Sequence, residues 1–190
     1  MTEEMIVIVS GLPRSGTSMM MKMLKAGGLE ILTDEIRTAD DDNPKGYYEF
    51  ERVKQLEQDT GWLPDAQGKA VKVITALLRH LPSDHRYKVI FMRRHMEEIL
   101  ASQRQMLINR GEPTDRVDDQ KLASMFRRHV AQTEAWLGEQ SHLETLYVHY
   151  SAVLADPAAQ AARINEFLDW TLDERAMVQA VDRRLYRQRA

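Results

Sequence analysis

The chain has 190 residues, 43% of them hydrophobic, and a formal net charge of -3 at pH 7. This length suffices for one hydrophobic core and predicts a single domain over residues 1–190. The small negative net charge does not favour binding to nucleic acid or to an anionic membrane. Because there is no cysteine, disulfides and thiolate metal sites are excluded.

The sequence also predicts a cytoplasmic location. Residues 1–4, MTEE, are acidic and lack the basic region with which a secretory signal peptide begins. The longest apolar runs fall well short of a bilayer span, so no membrane-spanning segment is expected.

Residues 6–26, IVIVSGLPRSGTSMMMKMLKA, are the most informative stretch. Residues 6–9 are an apolar, β-branched run, typical of a strand buried on both faces of a parallel sheet. Two glycines and a proline interrupt this run, and residues 17–26 then have a helix-forming composition. A strand, a glycine loop and a helix N-terminus together bind phosphate, because backbone N–H groups and the helix dipole converge on the anion.

The loop differs from a Walker A motif, GxxxxGK[ST], at one decisive position. Gly11 and Gly16 fit the frame, but Thr17 occupies the place of the lysine. The group that pairs the β- and γ-phosphates of a nucleoside triphosphate is therefore missing. Arg14 can instead form a forked contact with a terminal phosphate or sulfate. The loop is predicted to bind an anionic nucleotide end without hydrolysing Mg-ATP; the alternative is a glycine turn with a surface arginine.

The segment PRSGTS, residues 13–18, is similar to the 5′-phosphosulfate loop of sulfotransferases. These enzymes use 3′-phosphoadenosine 5′-phosphosulfate (PAPS) as donor. The resemblance implies that the backbone amides of the loop, together with the side chain of Arg14, hold the phosphosulfate. The residues assigned to this contact are Gly11, Pro13, Arg14, Ser15, Gly16, Thr17 and Ser18.

The same resemblance implies a carboxylate base, and two glutamates are candidates. In tyrosylprotein sulfotransferases a glutamate after the second strand is the base, and counting without gaps from the loop places Glu35 there. Many bacterial sulfotransferase-like proteins carry an NPKGY(F/Y)E segment, which matches residues 43–49 and makes Glu49 the rival base. For Glu35 the alternative is a solvated acidic loop.

Lys72 matches a strand lysine of the cytosolic sulfotransferases, which have a histidine two residues later as their base. Ile74 stands at that histidine position here, so the histidine base is absent. The resemblance implies that Lys72 steadies either the leaving bridging oxygen or the transferring sulfonate. The alternative is a surface lysine at the edge of a strand.

A second anchor for the donor is predicted after the apolar strand at residues 87–92. Arg94 follows this strand, and Ser102 lies two turns into the next helix. Sulfotransferases use such an arginine–serine pair to bind the 3′-phosphate of the donor. The alternative is that Arg94 pairs with Glu97 or Glu98 and that Ser102 is an ordinary helical serine.

Tyr150 begins a segment similar to the Tyr-x-x-Leu-x-x-Asp-Pro segment of the family. The resemblance implies that its ring packs on the adenine; the alternative is a half-buried core tyrosine. The arginine-rich tail after residue 182 is predicted to be solvated, although it is also a candidate for completing the 3′-phosphate site.

The fold class predicted is α/β, a three-layer P-loop-type parallel sheet with helices on both faces and the donor at the carboxyl ends of the strands. Strands are predicted at residues 6–9, 29–32, 70–74, 87–92 and 143–148, and helices at residues 17–26, 51–59, 96–109, 118–139, 158–170 and 173–181.

The sequence therefore predicts a sulfotransferase that moves a sulfonate from PAPS, as co-substrate, to a hydroxyl or amine of a small-molecule or protein acceptor. No metal is expected. Two alternatives stay open: a P-loop nucleotide kinase or other nucleotide-processing enzyme, and a catalytically inactive nucleotide-binding module. The missing Walker lysine counts against the kinase, whereas the missing histidine keeps the inactive module open.

Overall fold

The computed structural model describes residues 5–34, 36, 46–114, 118–169 and 171–182. Its sheet has parallel strands β1 (Met5–Gly11), β2 (Ala70–Lys72), β3 (Arg86–Arg93) and β4 (Leu143–His149), in the order β2-β1-β3-β4. The α-helices are α1 (Thr17–Ala26), α2 (Met96–Asn109), α3 (Asp119–Glu139), α4 (Tyr150–Ala155), α5 (Pro157–Leu168) and α6 (Glu174–Ala180), and 3₁₀ helices cover Glu51–Gln55, Leu63–Ala66 and Thr75–His80.

The central strands β1 and β3 are buried along almost their whole length. Their register runs from Met5 opposite Arg86 to Gly11 opposite Met92. Because both faces of these strands are covered, their apolar residues form continuous runs without the alternation of a half-exposed strand. The α/β class and the parallel sheet with helices on both faces are confirmed.

Two hydrophobic cores lie on the two faces of the sheet. Val7 and Met20 belong to the core beneath α1, α5 and α6. Ile8, Trp62 and Leu137 belong to the core beneath α3 and the 3₁₀ segments. Successive residues of β1 therefore point to opposite cores, as the strand period requires.

The strand predicted at residues 29–32 is wrong. Only an isolated parallel bridge joins Ile31 to Ala70 of β2. The chain then leaves the sheet, because the Thr33 hydroxyl donates a hydrogen bond to the Glu49 carbonyl at 2.8 Å. This contact pairs the segment with the chain that follows the acidic loop and ends its pairing with β2.

The α-helix predicted at residues 51–59 is also wrong, since only the 3₁₀ helix Glu51–Gln55 forms. Asp59 turns the chain by accepting a hydrogen bond from the Gly61 amide at 3.0 Å. The Arg52 guanidinium donates to the same carboxylate at 2.8 Å, and this hydrogen bond lowers the pKa of Asp59. The other predicted elements agree with the structure to within two residues at each end.

A buried lysine fastens the end of α5 to the sheet. Lys88 of β3 is 4% exposed, and its ammonium donates to the Phe167 carbonyl and to the Asp169 carboxylate. The same ammonium lies 5.2 Å from the centroid of the Phe167 ring. The carbonyl at the end of the helix is thereby satisfied by a charged donor.

Lys88→Met tests this contact, because it keeps the apolar stem and removes the ammonium. We expect the free energy of unfolding to fall by about 1.5–3 kcal/mol, the value of a hydrogen bond to a charged group. Urea denaturation measures the loss. The control Lys69→Met removes an exposed pair with Glu30 and should cost less than about 1 kcal/mol. Equal losses of unfolding free energy in Lys88→Met and Lys69→Met would contradict a stabilising role for the buried ammonium.

Candidate functional site

The loop between β1 and α1 is held in a tight turn. The Ser15 amide donates to the Leu12 carbonyl at 3.1 Å. Arg14 has a φ of 69° and Gly16 a φ of 103°, so both lie in the left-handed region. Gly16 is the N-cap of α1 and supplies no side-chain hydrogen bond. The amides of the first turn of α1 therefore lack a side-chain cap, which is the arrangement that binds an anion.

Both loop glycines are required by close packing. A Cβ on Gly11 would lie 2.7 Å from the Met92 carbonyl oxygen. A Cβ on Gly16 would lie 2.5 Å from Cδ2 of Tyr150. The loop is thus packed directly on the end of β3 and on the first residue of α4.

Ser15 fits a loop that holds a ligand. Its side chain is 1% exposed, and its hydroxyl has no hydrogen-bond partner within the described part of the chain. A buried polar atom without a hydrogen-bond partner lowers the free energy of unfolding by about 1–3 kcal/mol. A polar ligand atom bound at this turn would satisfy the hydroxyl.

The Arg14 side chain is directed toward α2. Its Nε donates to the Ser102 hydroxyl at 2.9 Å, and Ser102 is 7% exposed. The Arg14 side chain is therefore partly buried and bonded to α2. The structure also brings together two residues that the sequence assigned to opposite phosphates of the donor.

Arg94 is engaged on three sides. Its Nε donates to Glu98 Oε2 at 2.8 Å, and its Nη1 donates to the Arg14 carbonyl at 3.0 Å. The guanidinium carbon lies 4.4 Å from the centroid of the Tyr150 ring. The alternative pairing of Arg94 with Glu98 of α2 is thus present, and it exists together with a contact to the loop.

Tyr150 supports both the loop and Arg94. Burial raises the pKa of its phenol, although Arg94 lowers it and Glu98 raises it further. The ring is therefore neutral at physiological pH, and its face attracts the guanidinium through a cation–π interaction. The residue is 6% exposed, and a role in packing on adenine stays a prediction.

Lys72 extends from β2, and its ammonium lies beside the first turn of α1. Its ammonium lies 3.3 Å from the Ser18 hydroxyl and donates to the Tyr47 carbonyl at 3.0 Å. Its side chain is 11% exposed, so the surface-lysine alternative is wrong. A neighbouring strand thus supplies positive charge close to the position where a Walker loop has its own lysine.

Of the two candidate bases, the structure describes Glu49. One of its carboxylate oxygens, Oε1, lies 3.7 Å from the Lys72 ammonium, and its side chain is 23% exposed. The carboxylate is therefore both near the loop and accessible to solvent. Glu35 and the C-terminal arginines lie outside the described residues.

A cavity of about 280 Å³ adjoins the loop on the α3 side of the sheet. Its wall includes an ion pair in which Arg93 Nε donates to Glu134 Oε1 at 2.8 Å. The Arg93 guanidinium also stacks 4.0 Å from the Tyr147 ring centroid. Arg93 is thus held in the wall, beside a mostly apolar lining of Leu12, Phe91, Met92, Met96, Ile99, Val130 and Ala131.

Sequence reasoning missed two features of this site. The Tyr47 carbonyl accepts a hydrogen bond from Lys72. The position of a backbone carbonyl cannot be inferred from the type of residue that carries it. Glu98 was considered only as a competitor for Arg94. Its position four residues after Arg94, at the start of α2, did indicate the ion pair, but nothing local indicated that Arg94 also reaches the loop.

The described residues also lack two features. None of their helices has the length and apolar character needed to cross a membrane. They contain no group of three or more His, Cys, Asp or Glu side chains that could hold a metal ion.

The fold and the loop define a P-loop-type α/β protein whose glycine turn lies at the carboxyl ends of its strands. A model of the sulfotransferase family matches residues 34–174, and the chain belongs to this family. The match begins after the loop, so it leaves the loop assignments as predictions. No curated protein matches the chain in sequence.

Solved structures share the fold at low sequence identity. The sulfotransferase domain of the Synechococcus PCC 7002 olefin synthase is 16% identical, with a TM-score of 0.59 over 96% of this chain and 79% of that one. The sulfotransferase domain of the curacin biosynthetic pathway is 15% identical, with a TM-score of 0.57 over 93% and 77%. A retinol dehydratase in complex with androsterone and the inactive cofactor PAP is 15% identical, with a TM-score of 0.51 over 95% and 64%.

Gly16→Ala tests the packing of the loop. We expect it to abolish binding of adenosine 3′,5′-bisphosphate (PAP) in calorimetry and to lower the melting temperature, because the new Cβ meets the Tyr150 ring. The control is Gly28→Ala, where φ is also positive, at 97°, but nothing lies within 4 Å of the added Cβ. It should lose only about 1–2 kcal/mol of stability from backbone strain and should keep binding. Full binding by Gly16→Ala would contradict the close packing.

Proposed function

We propose that this sulfotransferase takes its sulfonate from PAPS and transfers it to a hydroxyl or amine of its acceptor. The observation that carries the proposal is the convergence of Arg14, Lys72 and the first-turn amides of α1 at one edge of the sheet. These groups supply positive charge and N–H donors at a single turn. A phosphosulfate, with anionic oxygens on both phosphorus and sulfur, matches that set.

The loop amides, Arg14 and Lys72 are proposed to stabilise the transferring group. In sulfonate transfer, by analogy with phosphoryl transfer, charge spreads over the peripheral oxygens in the transition state. Donors held in advance at those oxygens lower the barrier without reorganising during the reaction. The short distance between Lys72 Nζ and Ser18 Oγ supports a role for the lysine beside the loop.

Glu49 is proposed as the general base, with Glu35 as the alternative. The acceptor oxygen or nitrogen forms a bond to sulfur, the bond from sulfur to the bridging phosphate oxygen breaks, and PAP leaves. The acceptor proton passes to the carboxylate. Glu49 is supported by its 3.7 Å distance to Lys72 and by its partial exposure, which lets an acceptor approach it.

Arg94 and Ser102 are proposed to recognise the 3′-phosphate, and Tyr150 to pack on the adenosine. Support comes from their position, since all three side chains surround the loop from β3, α2 and α4. We further propose that residues 1–190 form one domain, because both cores pack on the same four-stranded sheet.

The donor assignment is tested by thermal shift with PAP and with ATP·Mg. A ligand at one hundred times its dissociation constant stabilises the folded state by about 2.7 kcal/mol. We expect this stabilisation with PAP and a much smaller one with ATP·Mg. Arg14→Met should remove most of the response to PAP. A larger response to ATP·Mg would favour a kinase and overturn the proposal.

The base assignment is tested with Glu49→Gln and Glu35→Gln. Loss of general base catalysis should lower kcat by about 10²-fold or more while binding of PAP is kept. The control Glu51→Gln removes an exposed carboxylate that pairs with Lys54 and should leave kcat unchanged. Transfer of label from PAPS to cell extract, followed by mass spectrometry of the product, gives the readout. Loss only in Glu35→Gln would assign the base to that residue; no loss in either would exclude a carboxylate base.

A further inference from the structure

Glu98 is a buried carboxylate that the proposed chemistry does not use. It lies in the first turn of α2 with its side chain 1% exposed, and it accepts a hydrogen bond from Arg94 Nε at 2.8 Å. Arg94 is itself only 8% exposed. Taking such a pair out of water costs several kcal/mol, and the cost is recovered only when geometry and further hydrogen bonds are good.

The second part of the arrangement lies on the other side of Arg94. With Nε directed to Glu98, the planar guanidinium directs Nη1 to the Arg14 carbonyl, 3.0 Å away. Stacking on Tyr150 at 4.4 Å fixes the orientation of the plane. A guanidinium has its donors in one rigid fork, so the contact with Glu98 determines where the donor to the loop carbonyl lies.

The third part is the backbone of Arg14. Its φ of 69° is in the left-handed region, which is unfavourable for a residue other than glycine. Such a conformation persists only where its surroundings fix it. Two hydrogen bonds hold Arg14 on opposite sides, one from Arg94 to its carbonyl and one from its side chain to Ser102. The first of these depends on the orientation of Arg94.

We propose that Glu98 is a positioning residue for the phosphate loop, acting through Arg94 and the Arg14 carbonyl. The carboxylate fixes the guanidinium, the guanidinium fixes the carbonyl, and the loop is thereby held in its anion-binding conformation before the donor arrives. This inference rests on the proposed function for its consequence in donor binding. Its structural part holds for the protein without any ligand.

The first test is amide hydrogen exchange of the free protein, measured by NMR. Glu98→Ala should speed exchange of the Ser15 amide, which bonds to the Leu12 carbonyl, by about tenfold beyond any change at Tyr87. The Tyr87 amide bonds to His142 between β3 and β4, and it reports the stability of the sheet. Glu98→Gln keeps an acceptor for Arg94 and should give a smaller increase.

The matched control is the neighbouring residue Glu97, whose side chain is 66% exposed and pairs with Arg127 at 3.0 Å. Glu97→Ala should change neither amide. An increase at Ser15 no larger than that at Tyr87 would overturn the proposal, because a merely structural loss affects both. An equal increase in Glu97→Ala would overturn it too. Should Glu98→Ala fail to fold, Glu98→Gln gives the same comparison.

The second test uses PAP and adenosine 5′-monophosphate, which share a 5′-phosphate. Glu98→Ala should raise the dissociation constants of both ligands by about tenfold, since both depend on the loop. Weakening of PAP alone would place the effect of Glu98 at the 3′-phosphate and would overturn the route through the loop. If the wild-type protein binds neither ligand, the proposed function fails, and the exchange measurement still decides the role of Glu98.

Discussion

The register between β1 and β3 is the constraint on which the site depends. Pairing of Gly11 with Met92 brings the start of the loop next to the end of β3, and Arg94 follows two residues later. The arginine therefore emerges beside the loop and can reach its backbone. A shift of this register by one residue would reverse the direction of every side chain on β3 and would remove Arg94 from the loop.

The sequence was sufficient for the parts of the fold that depend on local pattern. The buried strands were recognisable from their continuous apolar runs, and the turn between β1 and α1 from its glycines. α1 and α2 begin and end where the pattern indicated. These elements have strong local signals, because burial on both faces and helix periodicity are both expressed in neighbouring residues.

The errors occurred where a contact distant in sequence decides the local structure. Residues 29–32 have strand composition, yet the chain leaves β2 because Thr33 bonds to Glu49. Within the site, Arg14 and Ser102 are separated by 88 positions in the sequence. Sequence pattern assigned these two residues to different phosphates of the donor, since it gives no distance between them. The role of Lys72 beside Ser18 likewise required the register of β2.

The packing of Tyr150 on Gly16 has a consequence for the modularity of the site. The ring belongs to α4, the guanidinium stacked on it comes from the end of β3, and the carboxylate that orients this guanidinium comes from α2. The shape of the turn is therefore encoded in widely separated stretches of the chain. Transplanting the hexapeptide PRSGTS alone into another strand–turn–helix scaffold would transfer its sequence but not its conformation. A graft that keeps the conformation would need the tyrosine, the arginine and the glutamate as well.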